Sequence, residues 1–118
     1  MSKLDPPQTQ RKKVSDLETV AVSFADLLDT GETLATLTSV LELTTTDLTL
    51  GDKAISTAVL DILEESTAIG EAVQFSVDGG TAGGGVGGVY QIQIKVVTDS
   101  TPTGRKLTRT VKLIVEAD

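Results

Sequence analysis

VYQIQIKVV at residues 89–97 and LTRTVKLIV at residues 107–115 are the two stretches whose patterning decides the fold. In the first, Tyr90, Ile92, Ile94 and Val96 fall on one face, and Gln91, Gln93 and Lys95 on the other. In the second, Val111, Leu113 and Val115 alternate with Thr110 and Lys112. A period of two is the side-chain period of a β-strand, and one apolar face per strand marks a sheet buried on one side only. The connecting segment 98–104, TDSTPTG, reads as a turn, so the two strands are expected to form an antiparallel hairpin. Its apolar face then needs a second sheet to pack against.

Working outward, residues 71–77 (EAVQFSV) alternate with Val73, Phe75 and Val77 inward, and residues 18–24 (ETVAVSF) with Val20, Val22 and Phe24 inward. A short helical turn is expected over Ala25 to Leu28, then a chain reversal at Asp29-Thr30-Gly31. In residues 33–43, Leu37, Leu41 and Leu43 share a parity with Ala35 and Ser39, which predicts an apolar face made by those positions. Residues 46–50 read as a short strand ending in a Gly51-Asp52 turn. Residues 54–64 (AISTAVLDILE) suit either a helix face or a strand. The β-rich flanks favour strand, followed by a loop over 65–70. About seven short strands punctuated by turn signals predict an all-β, immunoglobulin-like β-sandwich. The expected division is an extended basic N-terminal arm, residues 1–15, and a sandwich domain, residues 16–118.

A chain of 118 residues suffices for one domain with a real core. Phe24, Phe75 and Tyr90 are its only aromatics, so the core must be aliphatic and an interface rich in aromatic anchors is excluded. There is no Cys, hence no disulfide or thiolate metal site, and no His, the commonest general base. No apolar run is long enough to span a bilayer and no signal-peptide pattern opens the chain, so synthesis in a cytoplasm is expected. The net charge of −7 argues against a nucleic-acid partner. Within residues 1–15, Lys3, Arg11, Lys12 and Lys13 against Asp5 give +3, so the remainder carries −10. A basic arm stiffened by Pro6-Pro7 on an acidic body is expected to be mobile alone and to dock on an acidic surface, or else to act as a solvated tail.

Seven of the ten residues 79–88 (GGTAGGGVGG) are glycine. No Lys-Ser or Lys-Thr pair and no helix follows, which excludes a phosphate-binding loop. The segment reads as a strand connection, or as a loop that orders against a neighbour. Asp61, Glu64, Glu65 and Asp78 lack calcium-loop spacing and read as scattered surface acids. Tyr90, at the start of its strand, could bond back to the backbone and pin a corner of the sandwich. Arg105, Lys106, Arg109 and Lys112 give the last strand a basic stripe. On an edge strand such charges block stray pairing, and they could equally meet an acidic partner. Ser and Thr are plentiful but have no base to activate them, so no catalytic residue, cofactor, metal or small-molecule substrate is expected.

The segment from Gly79-Gly80-Thr81-Ala82-Gly83 through VYQIQIKVVT to RKLTRTVKLIVE resembles a pattern of immunoglobulin-like structural proteins of tailed bacteriophage virions. So do Asp5-Pro6 and the strand VAVSF followed by ADLLDTGETL. The tryptophans common in that group are missing here. The resemblance implies a non-enzymatic virion component, a capsid decoration or cement protein or one associated with the head and neck. Its implied partners are a major capsid protein or neighbouring virion subunits, with a homo-oligomer as a further expectation. The anchor is expected in the arm, at Lys3, Leu4, Asp5, Pro6, Pro7, Arg11, Lys12 and Lys13. The alternative is an adhesive module of a tail fibre or host-surface type, binding carbohydrate or a host surface protein through the glycine segment and the acidic loop near Glu64.

Overall fold

In a computed structural model, which describes residues 8–43, 45–62, 65–85, 88–100 and 103–118, the alternating stretches become strands. They are β1 (Gln8–Lys13), β2 (Glu18–Ser23), β3 (Leu34–Glu42), β4 (Leu48–Ile55), β5 (Leu60–Ile62), β6 (Glu65–Thr67), β7 (Ala72–Gly79), β8 (Tyr90–Thr98) and β9 (Lys106–Glu116). A single 3₁₀ turn, Ala25–Leu27, follows β2, where a helical turn is predicted. β8 and β9 form the expected antiparallel hairpin, with Tyr90 opposite Leu113 and Val97 opposite Lys106. β3 flanks β8 antiparallel, and β1 flanks β9 in parallel, giving a sheet in the order β1-β9-β8-β3. The second sheet has the order β2-β7-β4, all antiparallel.

The two sheets pack face to face. Val20 and Val22 of β2, Val73, Phe75 and Val77 of β7, Tyr90, Ile92, Ile94 and Val96 of β8, and Val111, Leu113 and Val115 of β9 are all at most 2% exposed. Each such side chain contributes about 1.5–3 kcal/mol of burial, so these alternating rows are the main source of stability. β5 and β6 form a small separate hairpin. Its Ile62 packs on Ala72 and Ala21, on the outer side of the three-stranded sheet.

Four sequence expectations change. Gln8–Lys13, read as a mobile arm, is a strand with six residues paired to Val111–Glu116. QTQRKK holds no apolar residue, so nothing in its pattern announces a strand; backbone pairing and one buried cation hold it. The predicted apolar face of residues 33–43 is also different. β3 slips register between Leu34 and Thr36 and again between Leu37 and Ser39. Each slip moves the following residues to the opposite face. Leu34 and Val40 are therefore buried, while Leu41 and Leu43 are 52% and 49% exposed.

Gly51-Asp52 is not a turn but a bulge inside β4, where the register jumps from Gly51 to Ala54 and Asp52 takes a φ of 47°. Of residues 54–64, 54–55 end β4 and 60–62 form β5, which is the strand option; 56–59 lie between them in neither strand nor helix, with Ser56 N–H bonding Ala72 O at 2.8 Å, and 63–64 lie outside the described residues. The loop expected over 65–70 begins with β6.

Candidate interaction surface on the four-stranded sheet

Alternation along β1, β8 and β9 sends their side chains to opposite sides of the sheet, and the cations divide accordingly. Arg11 and Lys13 of β1, Lys95 of β8, and Lys106 and Lys112 of β9 lie on the outer face. Five of the chain's ten Lys and Arg residues are thus gathered on one face of a molecule with a net charge of −7. The four strands contain two carboxylates, Glu42 and Glu116. Glu42 shares the parity of the inward residue Ile92, and its carboxylate accepts from Thr45. Glu116 faces outward and meets Arg11 at 3.7 Å, with both side chains well exposed, a contact that contributes little. Among the described residues, Lys13, Lys95, Lys106 and Lys112 have no ion-pair partner. Thr9, Gln91, Gln93, Thr108 and Thr110 lie between them, with Leu41, Val97 and Ile114 as apolar members of the same face.

The cations that point inward do different work. Lys12 is 3% exposed, and its ammonium donates to the carbonyls of Lys13 (2.6 Å), Val14 (3.1 Å) and Gly79 (2.9 Å). Those three bonds use all its N–H donors and tie β1 to the end of β7 in the other sheet. At the opposite end, Arg109 is 4% exposed and forms a two-pronged pair with Asp26, at 2.8 and 2.9 Å. It also donates to Ser23 O at 2.7 Å and lies over the Phe24 ring. Arg105 clamps Glu32 through Nε at 3.0 Å and through a second, shorter bond from Nη2, and donates to Leu27 O at 2.8 Å. The basic stripe predicted on the last strand is therefore split. Arg105 and Arg109 are internal ties, while Lys106 and Lys112 belong to the open face. β9 is also not an edge, since β1 and β8 cover its two sides.

Of the expected anchor residues, Lys3, Leu4, Asp5, Pro6 and Pro7 lie outside the described residues. Arg11 and Lys13 are exposed on the cationic face, and Lys12 is withdrawn from it. The structure joins Arg11 and Lys13 to Lys95, Lys106 and Lys112, a grouping that needs the parallel pairing of β1 with β9 and has no signature in the sequence.

The glycine segment serves the domain's own closure in its described part. Gly80 N donates to Asp47 O and Gly83 N to Val115 O. The Tyr90 hydroxyl accepts from Thr81 N at 3.0 Å and donates to Asp47 at 3.1 Å, which is the corner bond expected of this tyrosine. A side chain on Gly84 would collide with that hydroxyl, and one on Gly85 with the Val89 carbonyl, so the small residues permit this close packing. Glu64 and the side chains of Asp61 and Glu65 lie outside the described residues.

Arg105 first, then the Thr98 hydroxyl at 2.6 Å and the Asp29 N–H at 2.9 Å, hold the Glu32 carboxyl far below the usual carboxylate range despite its burial. A depressed carboxyl contributes stability that is fully present above its unfolded value and is lost as pH falls through that value towards the folded one. The melting temperature is therefore expected to fall progressively as the pH drops below about 5. Glu32→Gln should flatten part of that drop. Asp99, lowered by Thr33, and Asp118, lowered by Ser15, keep a residual slope of the same sign. A melting profile equally steep in Glu32→Gln would refute this assignment.

No protein-family model, curated protein or solved structure matches the chain.

Proposed function

We propose that this chain is a non-enzymatic structural component of a tailed-phage virion, a capsid decoration, cement or head–neck protein with an immunoglobulin-like fold. It attaches to a major capsid protein or a neighbouring virion subunit through its N-terminal segment and the cationic face that β1 extends. The observation that carries the reading is the segregation of charge. Arg11, Lys13, Lys95, Lys106 and Lys112 share one sheet face with a single outward carboxylate, on a chain of net −7. Solubility alone needs no such segregation, whereas docking on an acidic surface does.

The immunoglobulin-like assignment is supported by strand order. With β5 and β6 taken as an inserted hairpin, β2, β7 and β4 correspond to the second, fifth and fourth strands of that sandwich. β3, β8 and β9 correspond to the third, sixth and seventh. The bond from Thr81 N to the Tyr90 hydroxyl, at the corner leading into the penultimate strand, fits the same scheme. The virion assignment draws on the resemblance of the glycine-led C-terminal segment and of the VAVSF strand. An adhesive role through the glycine segment gains no support from its described residues, which are fastened to the domain itself.

Attachment through exposed cations is screened by salt, so the protein is expected to leave its particle as salt rises to ~1 M, where the Debye length is ~3 Å. The deciding experiment is immunogold electron microscopy. An antibody against the purified protein is applied to tailed virions produced from the genome that encodes it. Labelled heads or necks, with label lost after a high-salt wash, are expected. Virions that carry no label before the wash would overturn the proposal.

A further inference from the structure

We infer that the cleft beside Thr38, which Lys95 and Lys106 line, is the point at which the cationic face anchors an acidic peptide segment of its partner. The cleft has a volume of about 330 Å³ and is lined by Thr38, Lys95, Val97, Lys106, Leu107 and Thr108 among others. It lies where β3 slips its register between Leu37 and Ser39, which leaves Thr38 unpaired beside the β8–β9 pair. Lys95 stands opposite Thr108 and Lys106 opposite Val97. The two lysines are thus diagonal neighbours, roughly 7–8 Å apart at Cα. Neither has a hydrogen-bond or ion-pair partner among the described residues. Two unpaired like charges across a cleft repel one another, and a carboxylate seated between them turns that repulsion into attraction.

The shape and lining select the class of ligand. A water molecule takes about 30 Å³ of liquid, so the cleft is several times larger than one small oxyanion requires. Val97, on the outer face, supplies an apolar surface that a free anion cannot use but an aliphatic side chain next to a carboxylate can. Leu41 of β3 and Leu43 just beyond it, 52% and 49% exposed, add apolar surface outside the cleft. Nucleic acid fits less well. Phe24, Phe75 and Tyr90 are 0% exposed, so no ring is available for a base to stack on, and the chain's net −7 repels a polyanion. A segment alternating acidic and aliphatic residues matches both the cations and the apolar surface.

The inference rests on the docking role proposed above, not on the location in a virion. Its test uses the full chain and a fluorescein-labelled octapeptide alternating glutamate and leucine, followed by fluorescence anisotropy and by amide chemical-shift mapping at low salt. The peptide is expected to bind, with shifts concentrated at Thr38, Lys95, Lys106 and Thr108. Lys95→Gln with Lys106→Gln should raise the dissociation constant by about tenfold or more. Lys53→Glu, on β4 of the other sheet, alters net charge by the same two units and should change it by less than about twofold. No peptide binding, equal weakening by both variants, shifts centred elsewhere, or tighter binding of a single-stranded oligonucleotide would each overturn the inference. Virions without label but with intact cleft binding would sink the location and leave the cleft standing; labelled virions with no peptide binding would do the reverse.

Discussion

Lys12→Glu is expected to cost the domain about 3 kcal/mol or more, while Arg11→Glu and Lys13→Glu each change stability by less than about 1 kcal/mol. Three consecutive cations thus have three different sensitivities, because the strand alternates. Arg11 and Lys13 project from the outer face into water. Lys12 projects between the sheets, where its ammonium is bound by the carbonyls of Lys13, Val14 and Gly79. A carboxylate there would face three acceptors with no donor, in a site 3% exposed. Lys12→Met, which keeps the aliphatic stem but leaves those carbonyls unpaired, should cost about 1–3 kcal/mol.

β1 contributes no apolar side chain, so weakening the Lys12 tie is expected to release this strand before the rest of the domain opens. Urea denaturation, with amide hydrogen exchange along β1, separates these outcomes. Equal losses from all three charge reversals would show that Lys12 is as solvated as its neighbours. Under the docking role proposed above, the same pair of outer-face variants, Arg11→Glu with Lys13→Glu, should weaken that docking while leaving the melting temperature nearly unchanged.

Asp26→Ala is expected to lose about 1–3 kcal/mol, because the buried Arg109 guanidinium loses a partner that itself reaches the surface. Arg109 would keep its bond to Ser23 O but lose both bonds to Asp26, at a position 4% exposed. Its Nε already lacks a partner among the described residues, so the loss of Asp26 leaves the Ser23 carbonyl as its one remaining described acceptor. The Phe24 ring, 5.9 Å from the guanidinium carbon, compensates by no more than about 1 kcal/mol. Arg109→Met should be milder than Asp26→Ala, because it removes the buried charge and fills most of the volume. The double variant Asp26→Ala with Arg109→Met should then recover much of the loss, giving a coupling energy well above about 1 kcal/mol in a double-mutant cycle. Losses that simply add would show that the two groups do not act as a pair.

The sequence by itself determined the strands whose apolar and polar residues alternate without interruption. Val20 and Val22, Val73 to Val77, Tyr90 to Val96 and Val111 to Val115 are all buried as their parity requires, because a sheet packed on one side leaves each residue only two directions. It also located the helical turn after β2 and the corner role of Tyr90. Bulges broke the pattern where one extra residue reverses every later side chain. That is why Leu41 and Leu43 emerged exposed and Gly51-Asp52 became part of a strand rather than its end.

Tertiary structure alone decided the rest. QTQRKK carries no hydrophobic signal, so its pairing with β9 is fixed by backbone bonds and by the Gly79 carbonyl on the other sheet, neither of which has a one-dimensional trace. The candidate surface follows from that pairing. Arg11 and Lys13 are about ninety residues from Lys106 in the chain, and only the parallel register of β1 on β9 puts their charges on the face that Lys95, Lys106 and Lys112 share. The same register turns Lys12, between them, into an internal tie.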